Sequence, residues 1–280
     1  MTGRTVSGLL AEAQAALSGD EARGEAELLL AHALGVDRAW LIAHRDDTVA
    51  PALAGQVRCC VSRRIAGEPV AYIIGQRGFH AIDLAVTPDV LIPRPETELL
   101  VELALQRIAP GKKVEIADLG TGSGAIALAI AQARQNARVC AVDASPAALD
   151  VARGNARRLG LGNVEFAQGD WCAAFGAHRF DVIVSNPPYI AEGDTHLRQG
   201  DLRFEPRLAL ASGADGLDAI RTIVRDAPGH LNAGGWLLLE HGNAQGAAVR
   251  TLLQEKGFSG VFTARDLEDR ERVSGAVRLR

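Results

Sequence analysis

Short apolar runs alternate with helical segments from residue 114 onward, and this alternation constrains the fold more than any other feature of the sequence. The runs have the length and β-branched content of buried strands, and apolar residues at helical spacing fall between the first five of them. This pattern predicts an α/β domain with a mostly parallel sheet covered by helices on both faces. The loop between the last two strands is too short for a parallel crossover, so these strands should pair antiparallel. The seven predicted strands are residues 114–119, 138–142, 164–167, 180–185, 235–240, 258–264 and 275–279.

The chain before this domain predicts a small helical bundle. Apolar residues recur at helical spacing between residues 5 and 67, and a second helix is expected between an N-cap at Asp20 and a stop at Gly35. The runs at 71–74 and 82–86 are interrupted by glycines and are typical of a β-hairpin. The predicted organisation is a helical, substrate-binding domain over residues 1–68, a hairpin linker over residues 69–92 and the α/β domain over residues 93–280.

Composition and charge exclude several classes of protein. No apolar run approaches the roughly 20 residues of a membrane span, and the first residues lead into an amphipathic pattern, so a cytoplasmic monomer without membrane attachment is expected. The four cysteines lack the spacing of a zinc site or a disulfide framework and the seven histidines are scattered, so no metal is expected. The net charge is −4, and residues 1–86 carry eight arginines against ten acidic residues. This balance argues against a nucleic-acid partner.

A glycine-rich loop follows the first strand of the α/β domain. The segment Asp118-Leu119-Gly120-Thr121-Gly122-Ser123-Gly124 leads into a helix expected over residues 125–133. The glycines permit a tight turn and a close approach of a ligand to the backbone, and the start of the helix offers free N–H groups. The third glycine comes one position too early for the dinucleotide fingerprint. The loop therefore predicts a bound cofactor without requiring a phosphate.

Acidic and aromatic residues follow the next two strands. Asp143 ends the second strand, at about the position where a carboxylate would bind ribose hydroxyls. Ser145 precedes a proline and is the expected N-cap of the next helix, which leaves Asp143 free for a ligand. Asp170 and Trp171 follow the third strand and would hold an adenine by a hydrogen bond and by ring contact. Core packing is the alternative role for Trp171.

Asn186-Pro187-Pro188-Tyr189, here called the corner, follows the fourth strand directly. Two consecutive prolines remove two backbone donors and end the strand. The corner therefore offers acceptors, namely the amide oxygen of Asn186 and the carbonyls of both prolines, beside the flat ring of Tyr189. This set suits a planar ligand rich in N–H groups, such as an amide or an amino-substituted base. The bland alternative is a proline turn that happens to follow a strand.

Taken in chain order, these motifs resemble those of the class I S-adenosylmethionine-dependent methyltransferases that modify planar nitrogens. Residues 91–98, 204–217 and 266–273 are similar to segments of the release factor glutamine methyltransferases. With the helical N-terminal region included, the resemblance spans nearly the whole chain, and it departs in the hairpin, where Gly78 replaces an acidic residue before Phe79. The resemblance implies a Rossmann-like methyltransferase sheet and N5-methylation of the glutamine in the Gly-Gly-Gln motif of peptide chain release factors.

The resemblance also implies the roles of individual residues. Asn186, Pro187, Pro188 and Tyr189 would be the catalytic and substrate-binding residues, because acceptors for both N–H bonds of an amide fix it and favour a lone pair that points at the methyl group. S-adenosyl-L-methionine would contact Asp118, Gly120, Thr121, Gly122, Ser123, Gly124, Asp143, Asp170, Trp171 and Asn186. Alternative substrates are a glutamine of a ribosomal large-subunit protein and an exocyclic amino group in DNA or RNA. A cofactor-binding module without methyl transfer is a third alternative.

Overall fold

The computed structural model describes residues 4–279, in which the chain forms two compact units divided between Gln76 and Arg77. The division falls within the predicted linker. The outermost residues of the predicted domains, 1–3 and 280, lie outside the described residues. Within residues 4–279, every helix is too short or too polar to cross a lipid bilayer.

The described part of the first unit consists of five helices around one apolar core. The apolar spacing places Leu9, Leu29 and Leu30 inside, each at most 1% exposed. Gly35 ends the second helix as predicted, because its φ of 68° lies in the left-handed region that glycine adopts without strain. The helices are α1 (Val6–Ala16), α2 (Ala22–Leu34), α3 (Arg38–Ala43), α4 (Pro51–Ile65) and α5 (Val70–Ile74).

Two predictions in this region are wrong. The N-cap residue of α2 is Glu21 instead of Asp20, and its side chain makes no capping hydrogen bond. Residues 71–74 belong to the helix α5 and not to a strand, with Pro69 before its first turn and Gly75 ending it at φ of 78°. A short apolar run has no period that separates a buried strand from a buried helical turn, so the flanking proline and glycine decide.

The hairpin is shorter than its predicted segment. It consists of β1 (Gln76–Phe79) and β2 (Ile82–Ala85). Phe79 is only 2% exposed and belongs, with Ile82 and Leu84, to an apolar core of the second unit. Burial of Phe79 therefore fixes the hairpin to that core, with Gly78 at the position where the resemblance implied an acidic residue.

The second unit is organised around seven strands of the described chain, and they confirm the predicted fold class. Their order is β5-β4-β3-β6-β7-β9-β8, and β9 runs antiparallel to both of its neighbours. The predicted antiparallel pairing of the last two strands is thus confirmed. The strands are β3 (Glu115–Leu119), β4 (Arg138–Asp143), β5 (Val164–Gln168), β6 (Phe180–Ser185), β7 (Leu231–Glu240), β8 (Ser259–Arg265) and β9 (Glu271–Val277).

Helices cover both faces of this sheet. The prediction of a helix between each pair of the first five strands is wrong at one place, because only a 3₁₀ turn, Trp171–Phe175, joins β5 to β6. That connection has Gly169 near its start and Gly176 directly after the turn, which leaves too little chain for an α-helix. The helices are α6 (Glu98–Arg107), α7 (Ala125–Ala133), α8 (Pro146–Leu159), α9 (Asp218–His230) and α10 (Gly246–Glu255).

Candidate active site

The strand order of the sheet reverses between β3 and β6, and open α/β sheets bind ligands at such a point. Leu119 and Ser185, the last residues of these two strands, are partners in the register. The hydroxyl of Ser185 donates to the carbonyl oxygen of Leu119 over 2.7 Å and ties the two strand ends together. The glycine loop (residues 120–124) and the corner therefore leave the sheet side by side.

A cavity of about 240 Å³ lies at this edge of the sheet. It brings together residues that follow four strands with two segments, residues 89–91 and 206–211, that come from elsewhere in the chain. The lining residues are Asp89, Val90, Leu91, Gly120, Gly122, Asp143, Ala144, Ser145, Ala148, Gly169, Asp170, Trp171, Asn186, Pro188, Pro206, Leu208, Ala209 and Ala211.

The sequence-predicted site residues divide into two groups. Seven of them line the cavity: Gly120, Gly122, Asp143, Asp170, Trp171, Asn186 and Pro188. The others are not among the residues that line it: Asp118, Thr121, Ser123, Gly124, Pro187 and Tyr189.

Backbone hydrogen bonds hold the glycine loop against β4. The N–H groups of Gly120 and Thr121 both donate to the carbonyl oxygen of Val142, over 2.8 and 2.9 Å. Gly120 has a φ of 73°, and a Cβ there would lie 3.3 Å from the ring of Trp171. Glycine at this position therefore permits both the turn and the approach of the indole ring.

Asp118 stabilises this loop through hydrogen bonds from two residues that follow it in the chain. Its side chain is fully buried, and Oδ2 accepts hydrogen bonds from the hydroxyl of Thr121 over 2.7 Å and from the N–H of Ala127 over 3.2 Å. Burial raises the pKa of the Asp118 carboxyl to about 7. Asp118 thus joins the loop to the start of α7 and lies away from the cavity.

Asp143 lines the cavity. The prediction that its carboxylate is free of protein partners is wrong. Its Oδ2 accepts from the N–H of Gly122 and its Oδ1 from the N–H of Ser145, over 2.8 and 2.9 Å. The prediction that Ser145 caps the helix is confirmed, since its hydroxyl oxygen accepts from the N–H of Ala148. An ionised carboxylate has about four lone-pair positions, so Asp143 retains acceptor capacity for hydroxyl groups.

Trp171 is held in a conformation that is unusual for a non-glycine residue. Its φ is 48°, in the left-handed region. The ring packs over Gly120 and against the apolar core on one face of the sheet, and it also lines the cavity. Core packing and a cavity wall, which the sequence offered as alternatives, are both present.

The corner is held by two buried polar side chains from other elements. The Asn186 Nδ2 donates to Thr97 Oγ1 over 3.1 Å, and the Tyr189 hydroxyl donates to Glu240 Oε1 over 3.3 Å. Thr97 is 4% and Glu240 1% exposed. Burial raises the pKa of Glu240 to about 7 and the pKa of Tyr189 above its usual range. Sequence reasoning missed Thr97 and Glu240 as site residues. Thr97 lies in the segment 91–98 that carries the family resemblance, but the resemblance assigned it no role, and Glu240 stands in no local motif.

An ion pair between a buried carboxylate and a partly exposed guanidinium holds one wall of the cavity in place. The Glu205 carboxylate pairs with the guanidinium of Arg94, and its other oxygen accepts from the N–H of Ile92 over 3.3 Å. Burial raises the pKa of Glu205 even though Arg94 opposes this shift. Both residues lie in segments that carry the family resemblance. The resemblance could therefore have indicated them, but it assigned them no role.

The sheet order, the glycine loop after β3 and the acidic residue ending β4 define a class I methyltransferase fold. A crystal structure of a methyltransferase from Pyrococcus furiosus has a similar fold, with a TM-score of 0.54 at 19% identity, over 81% of this chain and 98% of that chain. The family model described as "PrmC N-terminal domain" matches residues 8–75, and the one described as "Methyltransferase small domain" matches residues 95–201.

Curated relatives narrow this class to one family. The release factor glutamine methyltransferase of Xylella fastidiosa (strain Temecula1) is 57% identical over 252 residues, covering 90% of this chain and 92% of that protein. The protein of the same name from Bordetella pertussis (strain Tohama I) is 52% identical over 254 residues, covering 90% and 94%. The chain belongs to the release factor glutamine methyltransferase family.

Proposed function

We propose that this protein transfers a methyl group from S-adenosyl-L-methionine to the side-chain nitrogen N5 of the glutamine in the Gly-Gly-Gln motif of peptide chain release factors. The single observation that carries the proposal is the corner leaving β6 beside the glycine loop that leaves β3, with Leu119 and Ser185 in register. This arrangement puts acceptors for an amide next to a backbone cradle for a cofactor. The family relatives carry the name of the same reaction.

The residues around the cavity fit S-adenosyl-L-methionine. Asp143 keeps acceptor capacity for ribose hydroxyls, Asp170 can accept from an amino group, and Trp171 offers a ring face or edge to a planar base. Gly120 and Gly122 leave their side of the cavity without side chains. We assign these residues to the cofactor site, and assign Asp118, Thr121, Ser123 and Gly124 to shaping the loop that forms it.

Alignment is the main task that the protein's own residues perform. The bound donor supplies an electrophilic methyl group on a positively charged sulfur. Amide resonance, with its rotational barrier of about 18–20 kcal/mol, makes the glutamine nitrogen a poor nucleophile. The Asn186 oxygen and the Pro187 carbonyl would accept from its two N–H bonds and hold the nitrogen in line with the methyl group, while Pro188 and Tyr189 flank the flat amide. The N–C bond forms as the S–C bond breaks, and the nitrogen gives up one proton to solvent.

We further propose that the helical N-terminal domain recognises the body of the release factor and that the enzyme acts as a cytoplasmic monomer without a nucleic-acid partner. The net charge of −4 supports the last point, because proteins that bind nucleic acid usually present a basic face. Sedimentation of the protein alone and with a release factor tests the stoichiometry. A dimer of the free protein would contradict the monomer.

A methylation assay with four substrates tests the proposal. Labelled S-adenosylmethionine is offered in parallel with a release factor, a ribosomal large-subunit protein, DNA and RNA. We expect label in the release factor, and mass spectrometry should place it on the glutamine of Gly-Gly-Gln. Label confined to the ribosomal protein or to nucleic acid would overturn the proposed substrate.

The variant Asn186→Ala tests whether the corner takes part in methyl transfer. Removing one preorganised polar contact typically costs about a hundredfold in turnover, and we expect at least that loss with an unchanged fold. Circular dichroism tests whether the fold is unchanged, and single-turnover rates measure the loss of activity. Full activity in the folded variant would exclude the proposed mechanism.

A further inference from the structure

Asn155 of α8 is a fully buried polar side chain that joins three parts of the second unit. It is 0% exposed, and its Nδ2 donates to the carbonyl oxygens of Ser123 and Ala85 over 2.8 and 3.0 Å. Its Oδ1 accepts from the N–H of Ala85 over 2.8 Å and from Arg158 Nη2 over 3.0 Å. Both hydrogens and both lone pairs of the carboxamide are therefore engaged.

The partners of Asn155 fix the direction of its amide. Carbonyl oxygens only accept hydrogen bonds, so the amide nitrogen must face Ser123 and Ala85 while the amide oxygen faces the two donors. Asn155 bonds to both the N–H and the carbonyl oxygen of Ala85, so its amide pairs with the end of β2 as a neighbouring strand would. Among side chains of this length, only asparagine offers two donors and an acceptor without a charge.

One of these bonds reaches the glycine loop. Ser123 is 2% exposed and directly follows Gly122, which lines the cavity and donates to Asp143 Oδ2 over 2.8 Å. Asn155 therefore holds the loop one residue away from a group assigned to the cofactor site.

The bonds to Ala85 hold the chain that leads to a second wall of the cavity, residues 89–91. Between Ala85 and this wall the chain makes a hydrogen-bonded turn, in which the N–H of Val90 donates to the carbonyl oxygen of Thr87 over 3.1 Å. The N–H of Asp89 donates to Thr87 Oγ1 over 3.2 Å. Because such a turn leaves few free torsions, the position of Ala85 sets the position of residues 89–91.

We propose that Asn155 is a positioning residue for the methyl donor, which couples the end of the hairpin to the glycine loop and so sets the separation of two walls of the cavity. This inference rests on the proposed function, because it takes S-adenosylmethionine as the ligand of the cavity. Asn155 is not among the residues that line the cavity, so it acts through Ser123 and Ala85.

The variant Asn155→Asp tests the two donated bonds. It keeps the shape of the side chain and the acceptor for the N–H of Ala85, but it sets an oxygen against the carbonyl oxygens of Ser123 and Ala85. We expect the Kd for S-adenosylmethionine to rise by about tenfold or more. The added negative charge by itself would attract the positively charged donor, so it acts in the opposite direction to the expected change.

A second variant, Asn155→Ala, removes the hydrogen bonds without introducing this repulsion. It should raise the Kd for the donor by about threefold or more. If Asn155→Asp does not fold, Asn155→Ala supplies the comparison.

Asn163→Asp is the matched control. Asn163 Nδ2 donates to the carbonyl oxygens of Ala131, Arg134 and Ala137 over 3.1, 3.3 and 3.1 Å. Asn163 directly precedes β5, whereas the cavity lies beyond the carboxyl ends of the strands. This variant also sets an oxygen against backbone carbonyls, so it should lower the free energy of unfolding while the Kd for the donor stays within about twofold.

Three measurements separate donor binding from stability and from chemistry. Calorimetry gives the Kd for S-adenosylmethionine, urea titration gives the free energy of unfolding, and the methylation assay gives kcat at saturating donor. The corner is unchanged in these variants, so the kcat of folded Asn155→Asp should stay within about threefold of the wild type. A fall in kcat with an unchanged Kd would overturn the role in donor binding.

The outcomes distinguish the two proposals. If the wild type binds the donor but does not methylate a release factor, the proposed function fails, and the Kd values still decide the role of Asn155. If the folded variants of Asn155 bind the donor as the wild type does, the positioning role alone is overturned. Equal rises in Kd for Asn155→Asp and Asn163→Asp would also overturn it, since they would indicate a general loss of stability. A wild type that does not bind S-adenosylmethionine would overturn both proposals.

Discussion

Asp143 combines bonds to the protein backbone with a place in the cavity wall. It accepts two backbone N–H bonds and still lines the cavity. Asp143→Asn keeps its shape but removes the charge. Charged hydrogen bonds contribute about 1.5–3 kcal/mol, so we expect the Kd for S-adenosylmethionine to rise by about tenfold or more.

Calorimetry measures this change, with Asp150→Asn as the control. Asp150 lies on the exposed side of α8, where its side chain is 79% exposed. An Asp143→Asn protein that binds the donor as the wild type does would remove Asp143 from the cofactor site.

Glu240 predicts a pH dependence of catalysis. Burial raises its pKa to about 7, while the nearby Thr97 hydroxyl, the charge of Arg272 and the Tyr189 hydroxyl oppose this shift and Glu96 adds to it. Below that pH the carboxyl gains a proton that must itself be donated, which disturbs the hydrogen bond that it accepts from the Tyr189 hydroxyl of the corner. The kcat of the wild type should therefore fall as the pH drops below about 7, and Glu240→Gln should lack this step.

Titration of Glu240 also changes the stability of the protein. Stability falls as the pH rises, whereas kcat rises. The native carboxyl binds its proton more tightly than the unfolded chain, whose pKa is 4.5, so its contribution is complete below about pH 4.5 and is lost as the pH rises through 7. Relative to Glu240→Gln, the free energy of unfolding of the wild type should decrease by about 3 kcal/mol across this window. Urea titrations at several pH values measure it, and parallel curves for the two proteins would contradict the raised pKa.

At the scale of elements, the conformation of the glycine loop requires a close approach of its backbone to α7. Gly124 has a φ of 86°, and a Cβ there would lie 2.9 Å from Leu128 Cδ1. Gly160, which ends α8, has a φ of 68° but no heavy atom within 4 Å of such a Cβ. The two glycines therefore share a left-handed backbone and differ in their surroundings.

Alanine substitutions at these glycines separate strain from contact. Both variants lose stability through the backbone, by about 1–3 kcal/mol. Gly124→Ala should lose about 1 kcal/mol more, because Leu128 must move, and should also bind S-adenosylmethionine more weakly. Chemical denaturation and calorimetry test this, and equal losses in the two variants would show that the contact with Leu128 is unimportant.

At the scale of the whole molecule, the two compact units predict a separation of tasks. All residues that line the cavity come from Asp89 onward and so belong to the second unit. A protein of residues 75–280 keeps the entire hairpin. We expect it to bind S-adenosylmethionine within about threefold of the full-length affinity.

The same truncated protein should lose at least about tenfold in kcat/KM on a release factor, because the proposed recognition of the substrate body is absent. Calorimetry and the methylation assay measure the two quantities. Full activity on the release factor would contradict a substrate-binding role of the helical unit.

Local patterns in the sequence determined much of this protein. The alternation of strands and helices, the antiparallel ending of the sheet, the stop at Gly35 and the cap at Ser145 all depend on residues close together in the chain. The position of the corner after β6 does too, since consecutive prolines end a strand wherever it lies. These features were predictable because backbone preferences act over a few residues.

Only the tertiary structure decided what supports the corner. Thr97 meets Asn186 across 89 residues of chain and Glu240 meets Tyr189 across 51, and no local pattern signals either contact. The same holds for Asp143, whose carboxylate bonds to Gly122 across a parallel strand pair. Packing of the sheet and its helices brings these groups together, and their burial then fixes the direction and strength of their hydrogen bonds.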